Sequence, residues 1–142
     1  MARGFTIMEI IITVGILFIL LASGFFISSG FYRSYALTSE RDSFVSILRK
    51  ARFSAMNNVL ESPHGVFVND SSYVIFAGQS YASRDVQFDE IISRFVFINV
   101  SGLTEVVFWP LSANSSSSGI VTLSDGARET IIEINEEGRI GW

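Results

Sequence analysis

The chain has 142 residues, ten basic against fourteen acidic for a net charge of −4, and no cysteine. This excludes a disulfide framework and a thiolate metal site, and it argues against a phosphate-binding surface, which needs a basic face. The length suits one domain plus a segment outside it, and an apolar fraction of 49% with a mean hydropathy of +0.42 is high for a domain of this size.

The apolar excess lies at the start. No residue from Ile10 to Tyr32 is charged, and thirteen of the eighteen from Ile10 to Ile27 are Ile, Leu, Phe or Val. Those thirteen favour a bilayer by roughly 6 kcal/mol, against about 3 kcal/mol for a carboxylate at the bilayer centre. The run is therefore expected to insert despite Glu9 at its lip, with Arg3 marking the cytoplasmic side under the positive-inside rule. An ordinary secretory signal has a shorter apolar stretch with a small-residue cleavage site after it. Here the small residue, Gly4, comes first.

Helical spacing continues from 31 to 60. Leu37, Phe44, Leu48, Ala51, Ala55 and Val59 fall on one stripe at about 100° per residue, and Asp42, Arg49 and Lys50 point away from it. Phe53 and Leu60 lie on the opposite side and suggest a second buried face. Ser62-Pro63 closes the helix, because the residue before proline avoids the helical region. The helix is thus predicted over 5–60, with 5–32 membrane-embedded or in a filament core and 33–60 amphipathic.

Beyond Pro63 the periodicity changes to two. Strands are predicted at 65–69, 72–77, 94–100, 105–109, 120–123 and 130–135, with a short one at 139–142. Asp125-Gly126 and Glu137-Gly138 fit hairpin turns, and 114–119 reads as a loop. The expected fold class is α+β: a long N-terminal helix, its first half in a membrane, packed on one antiparallel sheet built from 61–142.

No catalytic or metal site stands out. His64, the one histidine, occupies a Ser-Pro-His-Gly loop position with no second histidine or cysteine to join it. Asp85, Asp89 and Glu90 read as a solvated connector. No cofactor is expected, and the chain does not read as an enzyme. Glu129, Glu133, Glu136 and Glu137 make nucleic acid an unlikely partner.

Arg3-Gly4-Phe5-Thr6-Ile7-Met8-Glu9 ahead of an apolar helix resembles the type III signal of type IV pilins and pseudopilins: a basic leader, Gly, usually Phe, Thr, two residues, then Glu. The remainder is similar to H-type minor pseudopilins of type II secretion and FimT/FimU-like minor pilins. That likeness rests on Leu48-Arg-Lys-Ala-Arg-Phe-Ser-Ala-Met56, Gly65-Val66 and the closing Ile131 to Ile140. The chain departs from many relatives in having no proline inside the apolar helix and no cysteines to close a C-terminal loop.

The resemblance implies a pilin-like fold with leader 1–4, cleavage by prepilin peptidase between Gly4 and Phe5, and N-methylation of Phe5. Glu9 would set filament register by pairing with the amino terminus of a neighbouring subunit. The implied partners are other pilins or pseudopilins, prepilin peptidase, an inner-membrane assembly platform and, before assembly, membrane lipid. The implied location is the inner membrane, N terminus cytoplasmic and C-terminal domain across it. Two other roles fit less well: a DNA- or surface-binding minor pilin at a filament tip, disfavoured by the acidic C-terminal half, and a lone membrane-anchored β domain, disfavoured by Gly4-Phe5 with Glu9.

Overall fold

The computed structural model describes residues 4–142, without the side chains of 24–31. The expectation for Arg3 and most of the leader therefore lies outside the described residues. The chain divides into two units, Met1–Tyr35 and Ala36–Trp142. Helix α1, Ile7–Met56, contributes to both, and its described residues fall into two stretches, 7–23 and 32–56.

The expected fold is corrected in two respects. Among the described residues no helix is long and apolar enough to cross a membrane. The other correction concerns the β residues, which form two four-stranded antiparallel sheets rather than one. The mixed α+β composition stands; the membrane-embedded helix and the single sheet do not.

One sheet takes β1 (His64–Val68), β2 (Ser72–Ala77), β3 (Glu90–Ser93) and β5 (Glu105–Phe108) in the order β3-β2-β1-β5. The other takes β4 (Asn99–Gly102), β6 (Gly119–Ser124), β7 (Glu129–Ile134) and β8 (Ile140–Gly141) in the order β4-β6-β7-β8. Strand β2 is buried along its whole length, whereas β7 alternates, burying Ile132 and Ile134 and exposing Ile131 and Glu133, as a strand with one wet face should.

The predicted strand 94–100 is replaced by a crossing between sheets. β3 ends at Ser93 and β4 begins at Asn99. The Arg94 guanidinium pins the turn between them, donating from one terminal nitrogen to the Ile98 carbonyl at 2.8 Å and from the other to the Asn69 carbonyl at 3.3 Å. Phe95, Val96 and Phe97 are left exposed there. Alternation of apolar residues cannot distinguish such a turn from a strand.

Five of the six stripe residues on the helix are buried, Leu37, Phe44, Leu48, Ala51 and Ala55. They join one apolar cluster with Val66, Tyr73, Ile75, Val106 and Phe108 of the first sheet and Val121, Leu123, Ile132 and Ile134 of the second. Val59, Phe53 and Leu60 are exposed. The helix ends at Met56, short of the expected Leu60. The Ala55 carbonyl takes N–H groups from Asn58 and from Leu111, each at 2.9 Å, and Asn58, Leu60 and Glu61 adopt left-handed φ near 50°. Tertiary contact from the 109–113 loop thus stops the helix before the proline does.

Asp89 is corrected as well: its side chain is nearly buried and holds Arg84 at 2.8 Å. Arg84 lies over the Tyr81 ring at 3.7 Å, and Tyr81 stacks on Phe67 at 3.9 Å, so this part of the connector is folded back on the sheet. Asp85 and Glu90 are exposed, as expected; Glu90 opens β3 and pairs with Lys50 of the helix at 2.7 Å. His64 is the buried first residue of β1, not a loop residue. Its Nδ1–H donates to the Ser62 carbonyl at 3.0 Å.

Two predictions follow from this packing. A Cβ on Gly65 would overlap the Phe76 ring and stand 2.9 Å from the Val106 carbonyl oxygen. Neither can retreat, because β1 pairs with β2 and β5 through this position. Gly65→Ala is expected to cost about 2 kcal/mol, read from the urea midpoint of Trp109 and Trp142 fluorescence in the full chain. Burial lowers the pKa of His64, partly offset by the Ser62 carbonyl. The folded state therefore binds fewer protons than the unfolded chain, whose imidazole titrates near 6.5. Stability should be complete above about pH 6.5 and fall as pH drops from there toward the folded pKa. His64→Gln should flatten that part of the profile.

Candidate functional site

The site residues named by the N-terminal motif meet at the start of α1. Gly4, Phe5, Thr6 and Glu9 line one groove, and Phe5 is 80% exposed. Thr6 stands immediately before the first helical residue, Ile7. Its Oγ1 accepts from the Glu9 N–H at 3.3 Å, and its carbonyl accepts from the N–H groups of Glu9 at 3.1 Å and Ile10 at 3.3 Å. Thr6 is therefore the N-cap and Glu9 occupies the third helical position. The helix forms here because its orphan N–H groups find acceptors at once.

Thr-x-x-Glu before an apolar run is a helix-start signature, and it was readable in the sequence without being used. It gives Glu9 a local role: a carboxylate in the first turn complements the positive end of the helix dipole by a few tenths of a kcal/mol. The Glu9 carbonyl also accepts from Thr13 Oγ1 at 2.7 Å, so the first two turns are tied by side chains at both ends.

Beyond this cap the segment has no cover. Ile7, Met8, Ile10, Ile11, Ile12, Val14, Ile16, Leu17, Phe18, Ile19, Leu20 and Leu21 are each more than half exposed. They occupy every face of the helix, not one stripe. An apolar surface of this extent on a folded chain marks a binding surface, and a helix apolar all round is one meant to be surrounded. In that setting Glu9 is a carboxylate entering an apolar contact zone, where an unpaired charge is costly. The geometry can therefore offer one anionic group, next to an exposed Gly4-Phe5, at the end of a sticky rod.

Among the described residues no group of three or more His, Asp and Glu could hold a metal ion. No family model matches the chain, and no curated protein or solved structure is found similar to it.

Proposed function

We propose that this chain is a structural minor subunit of a pilus-like filament, a type II secretion pseudopilus or a type IV pilus, assembled by bundling its apolar N-terminal segment against those of other subunits. The observation that carries the reading is the uncovered apolar segment 5–21 with a single carboxylate, Glu9, beside Gly4-Phe5. Bundled helices would cover the segment from all sides, and lipid at the inner membrane would cover it before assembly. Prepilin peptidase would cut after Gly4, at exposed backbone before the first hydrogen-bonded turn, and methylate Phe5. The new amino group of one subunit would then meet Glu9 of its neighbour.

That pair would set register more than strength. Burying two charges costs about what their attraction returns, but removing one partner strands the other. The unit 36–142 would ride outside the bundle and contact the assembly platform and neighbouring subunits, without enzymatic activity or a resident cofactor.

Processing is checked by mass spectrometry of protein recovered from cells that contain prepilin peptidase. A chain starting at N-methylated Phe5 is expected; intact Met1 under those conditions overturns the reading.

Register is checked by comparing Glu9→Leu with Thr6→Ala in sheared filaments, against equal cellular pools. Loss of one side of a buried pair costs about 3–5 kcal/mol, so Glu9→Leu should be nearly absent from filaments. Thr6→Ala should cost about 1 kcal/mol of helix start and still assemble. If both variants assemble like wild type, Glu9 serves only its own helix dipole.

A further inference from the structure

Inside the 36–142 unit, the crossing between the sheets is tied at both ends. The Arg94 N–H donates to the Ser71 carbonyl at 3.1 Å, and the guanidinium takes the carbonyls of Asn69 and Ile98. The Phe95 N–H donates to Glu40 Oε2 at 3.3 Å, and the Ile98 N–H closes the turn on the Phe95 carbonyl at 3.0 Å. Ile98 is fully buried. The tip between these ties points the other way. Phe95, Val96 and Phe97 are 40%, 76% and 49% exposed, and the two rings lie 5.4 Å apart. A turn fixed at both ends does not expose three consecutive apolar side chains by fraying. Such a cluster on an ordered surface marks a contact.

Size, place and charge decide what it contacts. Two phenylalanines and a valine, already partly covered, offer at most a few hundred Å², whereas a specific protein partner needs about 800 Å² on each side. A lipid boundary has no such threshold, since it takes up apolar side chains a few at a time. Phe95 is bonded to Glu40, only four residues past Ala36, where this unit begins. The tip therefore belongs to the end at which the helix enters the unit. The residues that lead into Ala36 include two exposed tyrosines, Tyr32 and Tyr35, the residue type enriched where a chain passes from lipid to water. The one cation of the crossing, Arg94, is occupied by backbone carbonyls, and the adjoining β1–β2 turn carries exposed Asp70. Nothing in the crossing seeks an anionic headgroup, so the matching surface is zwitterionic.

We infer that the Phe95-Val96-Phe97 tip enters the headgroup boundary of a zwitterionic phospholipid bilayer and seats this unit on the membrane before assembly. A loop backbone needs water, so the tip stops at the hydrated boundary and does not reach the hydrocarbon. The inference rests on the lipid-covered state in the proposed function and adds to it a second contact, made by the folded unit itself.

The test uses the full chain in nanodiscs of palmitoyl-oleoyl phosphatidylcholine. Because the chain has no cysteine, Val96→Cys, Ser118→Cys and Ile16→Cys can each carry a single fluorescent dye, with a nitroxide near the top of the lipid acyl chain as quencher. Ser118 is exposed and precedes Gly119, at the opposite end of β6 from Ser124, which pairs with Asn99 beside the crossing. The dyes at positions 16 and 96 should lose most of their emission, and the dye at 118 should keep its own. Phe95→Ser combined with Phe97→Ser should restore emission at 96 and leave 16 quenched, with the near-ultraviolet circular dichroism of Trp109 and Trp142 unchanged. Quenching at 16 without quenching at 96 overturns the inference and leaves the lipid-covered state standing; a dye immobilised at 96 without quenching assigns the tip to a protein partner instead. Equal quenching at 96 and 118, or quenching at 96 that survives loss of both phenylalanines, also overturns it, since the tip would not be the contact. No quenching at 16 removes the lipid-covered state itself, and the inference with it.

Discussion

The 36–142 unit depends on one contact surface, the buried stripe of the helix, which serves both sheets at once. Leu48, Ala51 and Ala55 are fully buried. Around them, apolar residues from both sheets form a single cluster. A sheet of four short strands cannot bury its inner face alone, and here each sheet uses the helix as its second layer.

That dependence explains the placement of the polar exceptions. Glu40 belongs to the buried part of the helix, three residues past Leu37 and four before Phe44, and the Phe44 ring lies 4.7 Å from that of Tyr73. A carboxylate in this position is tolerable only because the Phe95 N–H and the nearby Arg94 belong to the crossing between the sheets. The same crossing strips 94–98 out of a strand and puts Phe95 at the mouth of a cavity. A topological need, to move the chain from one sheet to the other, thus places a cleft lined by Glu40, Arg94 and Phe95 here.

The N-terminal segment obeys the opposite rule. Its side chains are apolar on all faces and covered by nothing described. The isolated chain therefore keeps a large unfavourable hydration cost that a covering surface would remove. The core of 36–142 is built without that segment's side chains. Thr6 begins its helix independently of any partner, because capping needs only four neighbouring residues.

Local chemistry was legible from the residues alone. The stripe from Leu37 to Ala55, the strands near 65–69, 72–77, 105–109, 120–123 and 130–135, and the turns at Gly126 and Gly138 all follow from periodicities of 3.6 and 2 and from positive φ. Gly4, Phe5 and Glu9 could be singled out because a motif of seven residues needs no tertiary partner. What tertiary structure decided lies where distant residues meet. Val59 lost its place in the stripe because Leu111 reached the Ala55 carbonyl; 94–100 became a crossing because Arg94 found the carbonyls of Asn69 and Ile98. The division into two sheets depends on which strand edges pair, and period two is the same for either choice. The sequence does not single out Glu40, since nothing in its neighbours reveals that the chain fifty-five residues later returns to bury it. A membrane-embedded helix was inferred from summed hydropathy, whereas among the described residues no helix is long and apolar enough to cross a membrane. Composition adds over residues, but burial depends on where the rest of the chain goes.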